Sequence, residues 1–304
     1  MQLSNRPAAI VLGAAAGGGF PQWNCRCRVC ALAWAGDARV KPRSQASLAV
    51  SGDGEHWILL NASPDLRGQI QATPLLQPQA TPRGSPIRAV LLTGAEIDQT
   101  AGLLSLRERQ SFALFATAQT LAALEANPMF GVLAADVVAR KAVAANERFA
   151  LPGGLEAELF MVPGKVALYL EGSDPVLAGE SGANVGVEIV FAGKRLVYVP
   201  GAADVTADMR IRLARADAVL FDGTLFADDE MIASGAGTKT GRRMGHMPLN
   251  GADGTIAALR GLKGRRILTH INNTNPILIE GSDERRKVEA AGFEVAEDGM
   301  EIVL

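Results

Sequence analysis

Ala89-Val90-Leu91-Leu92-Thr93-Gly94-Ala95-Glu96-Ile97-Asp98-Gln99-Thr100-Ala101-Gly102-Leu103 is the stretch on which the reading of the fold turns. An apolar run stops at a threonine and a glycine, and two acids and an amide follow. A short apolar run bounded by turn formers reads as a strand buried on both faces. A strand end on a rigid sheet holds side chains at a fixed spacing, which suits a binding centre. Two later segments repeat the design. Residues 218–221 run into Asp222-Gly223-Thr224, and residues 266–269 run into His270-Ile271. With Met244-Gly245-His246-Met247 they hold two of the three histidines in the chain. Carboxylates and imidazoles suit hard to borderline divalent cations. Glu96, Asp98, Gln99, Asp222, His246 and His270 are therefore candidate ligands of one metal centre.

Working outward, residues 9–12 read as a buried strand that ends in a glycine-rich turn. Residues 47–50 and 56–60 read as strands joined through Gly52-Asp53-Gly54, a hairpin signal. Residues 65–72 read as a helix capped by Ser63 with Pro64 in its first turn. The proline-rich segment 77–86 is a loop. A helix at 102–109, a strand at 113–116 and a helix at 120–127 follow. Short strands fill 143–170, broken at Pro152-Gly153-Gly154 and Pro163-Gly164. Residues 186–191 and 195–199 pair about Ala192-Gly193-Lys194. Helices are expected at 207–214, 252–262 and 283–291, and a closing strand at 301–303. The hairpins do not fit a regular doubly wound sheet, whereas two sheets covered by helices fit this order, in one α/β (α+β) domain spanning 1–304.

The totals agree with a globular chain. It is 48% hydrophobic and 20% charged, with a net charge of −2. Nothing in that balance points to a nucleic-acid surface or a polybasic membrane patch. No apolar run approaches the ~20 residues that span a bilayer. Residues 1–7 do not make a secretion signal, so the expected location is the cytoplasm. The reading leaves a homodimer open.

The three cysteines fall at Cys25, Cys27 and Cys30. An odd number in one tight cluster suits a metal clip better than a disulfide framework. Thiolates at this C-x-C-x-x-C spacing can hold three of four tetrahedral positions on zinc. Arg26 and Arg28 would favour the thiolate. The glycines of segment 13–19 fit neither a P-loop nor a dinucleotide fingerprint, which leaves close backbone approach to the cavity. Lys239, Arg242 and Arg243 precede His246. They are either a solvated charged loop or a cationic rim for an acidic substrate. Each ligand candidate also has an ordinary explanation: an acidic helix start, a turn-forming Asp, a loop histidine, a core histidine.

Together the segments resemble the metallo-β-lactamase superfamily, whose first motif reads T-H-x-H-x-D-H-x-x-G-L. Thr93, Asp98, Gly102 and Leu103 keep that pattern, while Gly94, Glu96 and Gln99 stand where it has histidines. Asp222 matches the bridging carboxylate, and His246 and His270 match the two late histidines. The clip and the segment 297–302 are similar to the cyclic phosphodiesterases of that superfamily. There a histidine completes the clip, and Asn273 holds its place here. Ser63-Pro64-Asp65-Leu66-Arg67, Gly241-Arg242-Arg243-Met244-Gly245-His246-Met247-Pro248 and Thr269-His270-Ile271-Asn272-Asn273-Thr274-Asn275-Pro276 are closer still to the B-protein family of pyrroloquinoline quinone (PQQ) biosynthesis, across nearly the whole chain. That family has Asp at the place of Gly94 and His at the place of Gln99.

The resemblance implies a four-layer αββα sandwich. It also implies a role on PQQ or on a precursor derived from a Glu- and Tyr-bearing peptide, beside other proteins of the pathway. Two functions are open. One is an Fe(II)-dependent oxygenase, or one using another divalent metal, that hydroxylates the tyrosine-derived ring. The other is a carrier of the quinone or its precursor. For the oxygenase, Asp98, Asp222 and His270 are the expected ligands. His246 is a ligand or acid–base group, Gln99 a weak contact, and Lys239, Arg242 and Arg243 bind the acidic substrate. Zinc is expected at Cys25, Cys27, Cys30 and Asn273.

Overall fold

The computed structural model describes residues 8–79, 81–173 and 176–304. The N-terminal segment 1–7 lies outside them.

In chain order the strands are β1 (Ala8–Gly13), β2 (Ser47–Ser51), β3 (Trp57–Leu60), β4 (Ile87–Leu91), β5 (Phe112–Ala116) and β6 (Val138–Ala142). Then come β7 (Arg148–Leu151), β8 (Leu155–Met161), β9 (Val185–Phe191), β10 (Lys194–Val199), β11 (Ala218–Asp222), β12 (Arg265–Thr269), β13 (Glu294–Val295) and β14 (Glu301–Val303). They make two seven-stranded sheets, ordered β14-β1-β2-β3-β4-β5-β6 and β13-β12-β11-β10-β9-β8-β7. The helices are α1 (Arg28–Trp34), α2 (Leu66–Ala72), α3 (Ile97–Thr100), α4 (Ala118–Glu125), α5 (Ala207–Ala214), α6 (Glu230–Ala233), α7 (Thr255–Ala258) and α8 (Asp283–Ala290).

The period-2 alternation of strand side chains sorts the core into three apolar layers. Val11, Leu48, Ile58 and Leu60 of the first sheet meet Leu159, Val187, Leu196 and Leu220 of the second. The opposite faces look outward. Leu12, Trp57, Leu59 and Val90 pack against Leu66, Leu103 and Leu124. Val197, Val219, Phe221 and Leu268 pack against Val29, Met209, Leu213 and Val288. Helix, sheet, sheet and helix are thus stacked, as the element order predicts. The metallo-β-lactamase fold expected from the first motif is the fold observed.

Strands β3 to β6 run parallel, and so do β10 to β13. Parallel strands bring their carboxyl ends to one edge of a sheet, where open α/β sheets bind ligands. The loops after β4, β11 and β12 therefore open on the same rim.

Some local expectations are corrected. Ser63 does not cap α2; its Oγ donates to Gln69 Oε1 at 3.1 Å, and the Asp65 side chain makes no cap bond either. The helix expected at 102–109 is a 3₁₀ segment at Ala101–Leu106, preceded by the single α turn α3. Of the expected helix 252–262 only α7 forms, bounded by Gly254 at its N-cap and by Gly261 at φ 81°. The sequence reading missed β6 and β13. β6 is an exposed edge carrying Arg140 and Lys141 without apolar alternation, and β13 has two residues. No helix among the described residues is long and apolar enough to cross a membrane.

Gly102 locks the turn after the first motif to the loop before α2. Its N–H donates to Ala62 O at 2.9 Å, and a Cβ there would lie 2.1 Å from Ser63 O. Both obstructions are backbone, so they cannot swing aside. Gly102→Ala is expected to lower stability by about 1–3 kcal/mol, read as a lower urea midpoint at an unchanged slope.

Candidate functional site

Asp222 ends β11 with its side chain wholly buried. An isolated buried carboxylate is costly, so it must be paired and hydrogen-bonded. Its Oδ2 accepts from Ala202 N at 2.9 Å and meets His246 Nδ1 at 2.6 Å. Its Oδ1 accepts from Thr224 N at 2.9 Å and from Thr224 Oγ1 at 2.6 Å. Burial works against its charge, but the neighbouring imidazoles and Thr224 outweigh burial and hold its carboxyl below the usual range.

His246 follows Gly245, which adopts φ 87°, a conformation suited to glycine. His270 follows β12 and itself adopts φ 54°, a strained setting for a residue with a Cβ. Such strain persists only where surrounding contacts enforce it. Here Thr224 Oγ1 touches both His270 O at 3.0 Å and His270 Nδ1 at 2.9 Å. With its one hydroxyl proton given to Asp222, Thr224 can only accept from His270 Nδ1–H. That bond leaves His270 Nε2 facing Asp98 Oδ2 at 2.9 Å. The two histidine rings stack 5.2 Å apart.

Burial pushes the His270 imidazole down, but the Asp98 contact and the charges of Asp98, Asp222 and Glu96 leave it raised. Asp98 is its counterpart: burial raises its carboxyl, and His270 and His246 bring it below the usual range. A proton on His270 thus pairs with Asp98 and stands where a cation would.

The donors fit such a cation. One atom each from Asp222, His246 and His270 lie within 4.8 Å of one another. Adjacent ligands on bonds of ~2.1 Å stand about 3 Å apart, which matches the contact between Asp98 and His270. Gly17 lies against Asp98 with room for only 3.6 Å to an added Cβ, so the glycine-rich segment does bring backbone close to the centre.

The structure removes two candidate ligands. Glu96 and Gln99 cap α3 reciprocally, Gln99 Oε1 accepting from Glu96 N at 3.2 Å. Glu96 turns its carboxylate to Leu168 N at 3.1 Å and to Lys165 Nζ at 3.3 Å. Gln99 lies over Gly94, where a Cβ would stand 2.6 Å from its Oε1. Asp98 alone of the first motif reaches the histidines.

A cavity of about 410 Å³ opens above the centre, lined by Asp98, His246, His270, Lys165, Lys239 and Asn184 among others. That size suits a small aromatic ligand. Of the expected cationic rim only Lys239 lines it. Arg242 bonds Asp253 at 2.5 Å, and Arg243 faces Glu171 at 3.5 Å. Lys165 and Thr224 were missed from sequence. Lys165 lies in a loop with no motif, and its stem crosses Gly245. Thr224, directly after Asp222-Gly223, offered the one usable signal.

The cysteine cluster forms as expected. One sulfur each from Cys25, Cys27 and Cys30 lies within 4.8 Å of the others. Asn273 lies beside the group and donates its Nδ2–H to Cys25 Sγ at 3.1 Å and to Cys30 Sγ at 3.3 Å, hydrogen bonds to the sulfurs rather than the contact of a metal ligand. Bonds of ~2.3 Å to sulfur in a tetrahedral site suit this compact set. The flanking arginines do not bring the Cys27 thiol down. Burial pushes Cys27 up to about 12, and Cys25 and Cys30 add to it. A cation among the sulfurs would reverse that.

Three outcomes follow from this geometry. A divalent cation must displace the His270 proton. Its affinity is expected to fall as pH drops through the raised His270 value and to rise above it, read by metal titration across pH. Thr224→Val frees the His270 ring and is expected to weaken binding about 10–100-fold. Cys30→Ser is expected to lose the clip's metal, seen as reduced bound zinc and a lower melting temperature.

A family model described as beta-lactamase superfamily domain matches residues 56–271. Coenzyme PQQ synthesis protein B of Methylobacterium nodulans is 59% identical over 97% of this chain and 99% of its own length. The protein of the same name from Methylorubrum extorquens is 56% identical, with the same coverage of both chains. The crystal structure of Zn²⁺-bound PqqB from Methylobacterium extorquens superposes with a TM-score of 0.96 at 56% identity, covering 98% of this chain and 100% of that one. A diphosphatase of the PhnP family shares the fold alone, with a TM-score of 0.68 at 19% identity over 98% and 97% of the two chains. The fold agrees with these likenesses, and the chain belongs to the coenzyme PQQ synthesis protein B family of the beta-lactamase superfamily.

Proposed function

We propose that within coenzyme PQQ synthesis this chain is a mononuclear, Fe(II)-dependent oxygenase acting on a tyrosine-derived precursor. The observation that supports it most is the split of the first motif. Asp98 faces His270, whereas Glu96 and Gln99 are spent on capping α3. A hydrolase of the superfamily type needs two metals around a bridging hydroxide. Too few donors remain here for the second. Two histidines with a carboxylate and open positions make the ligand set of non-haem iron oxygenases. Bound there, the metal would supply the redox chemistry of oxygen.

The remaining work falls to the chain's own groups. His270, His246 and a carboxylate from Asp98 or Asp222 would hold the cation, and Thr224 fixes the tautomer of His270. Gly17 and Gly18 bring backbone close on one side. Leu168 and Ile97 give the cavity an apolar edge that limits water near the substrate ring. Conversion of a ring C–H to C–OH sends the second oxygen atom to water and needs two electrons from a reductant. The cysteine clip, apart from the cavity and without an open position, is read as a structural zinc site.

A carrier of the quinone or its precursor is the second reading. It is favoured by the resting pairing of His270 with Asp98, which gives that carboxylate a partner without a metal.

Oxygen consumption separates the two. The purified chain is reconstituted anaerobically with Fe(II), then given precursor, oxygen and a two-electron reductant such as ascorbate. The oxygenase is expected to bind about one iron beside the clip zinc and to release hydroxylated product. Asp98→Ala and His270→Ala are each expected to cut iron affinity and oxygen uptake about 100-fold or more. Full uptake in both variants, or stoichiometric binding without uptake in the wild type, overturns the oxygenase.

A further inference from the structure

Glu171 sits between two cations, of which Lys165 lines the cavity. Lys165 Nζ lies 2.6 Å from one of its oxygens, and Arg243 Nη1 lies 3.5 Å from the other. Lys239 lines the same cavity as Lys165, and its charge is felt at Glu171. The Glu171 side chain is only 9% exposed, and that of Lys165 only 12%. Yet Glu171 is carried by a short exposed turn, Leu168–Leu170, in which Leu168 is 58% and Leu170 47% exposed. An outward-facing turn thus sends one carboxylate inward onto a cationic wall.

That wall is not saturated. Arg243 Nη1 is buried without a hydrogen-bond partner, although it faces Glu171. Lys165 is anchored from behind by Glu96 and by its stem lying across Gly245 beside His246. It stays in place whatever occupies its front. Lys165, Lys239 and Arg243 gather about two carboxylates, Glu96 and Glu171, and of these cations Lys165 and Lys239 line the cavity.

We propose that Lys165 and Lys239, backed by Arg243, form the subsite that recognises a carboxylate of the cavity's ligand, and that Glu171 is a built-in stand-in occupying it in the free chain. The ligand class is an aromatic or quinonoid carboxylic acid. This rests on the reading of the cavity as the site for PQQ or its precursor. Exchange is favourable because an incoming carboxylate keeps the charge-assisted bonds of Lys165 and also offers the unpartnered Arg243 an acceptor. Glu96 is a positioning residue for Lys165.

The test is equilibrium binding of PQQ, PQQ trimethyl ester and benzene-1,3,5-tricarboxylate to wild type, Lys165→Gln, Lys239→Gln and Glu171→Gln, all with native melting and metal content. Lys165→Gln is expected to weaken the acids about tenfold or more, and Lys239→Gln less. Glu171→Gln, which removes the competitor, is expected to tighten them several-fold. Lys165→Arg restores binding, and the ester shows no dependence on any variant. If Glu171→Gln weakens the acids as Lys165→Gln does, or if the ester responds equally, Glu171 and Lys165 are an ordinary structural pair and the proposal falls. Tricarboxylate binding with the expected signs but no PQQ binding keeps the subsite and removes the PQQ reading. No dependence of either acid on the cations removes the subsite.

Discussion

The Asp222 carboxylate is the constraint around which the rest of the centre is organised. It is wholly buried, and a charge in that position persists only if every lone pair is met. Ala202 N, Thr224 N, Thr224 Oγ1 and His246 Nδ1 meet them. Those contacts draw the loop after β10 and the His246 loop onto the end of β11. Thr224 then passes the order on to His270 and through it to Asp98. One carboxylate at a strand end thereby ties both sheets together at their rim.

The first motif shows how a binding centre can be cut back without loss of fold. Gln99 rests over Gly94 and caps α3 with Glu96, so the turn keeps its shape while only Asp98 still reaches the centre. The carboxylate of Glu96 has become a structural anchor for the 165–168 segment.

Two distant segments converge on the same loop after β12. Asn273 reaches the cysteine clip, while His270, three residues earlier, reaches the centre. Asn275 donates to Gly223 O and Thr224 O and so fastens that loop beside Asp222. The clip is therefore mechanically continuous with the centre: a metal on the sulfurs would stiffen the segment that carries His270.

Much of this was legible in the chain. Apolar runs of four or five residues bounded by glycine, proline or an acid marked most strands, because a buried strand must be apolar on both faces and must stop where backbone turns. Asp98, Asp222 and His270 were legible because each comes at or soon after the end of such a run, and His246, in a polar loop, was grouped with them by the family resemblance. The clip was legible because three cysteines at that spacing have few other uses. The short helices around Gly102 and Gly254 were overcalled, since helical propensity there is overridden by backbone contacts distant in sequence. The exposed edge β6 left no hydrophobic signature. The roles of Glu96 and Gln99 and the inward turn of Glu171 and Lys165 had no local signature either. They depend on contacts between segments some 70 residues apart, such as Glu96 with Leu168. Sequence determined which side chains could bind a cation, through residue type and strand-end position. Tertiary structure decided which of them do face one another, because only packing fixes the direction in which a loop side chain points.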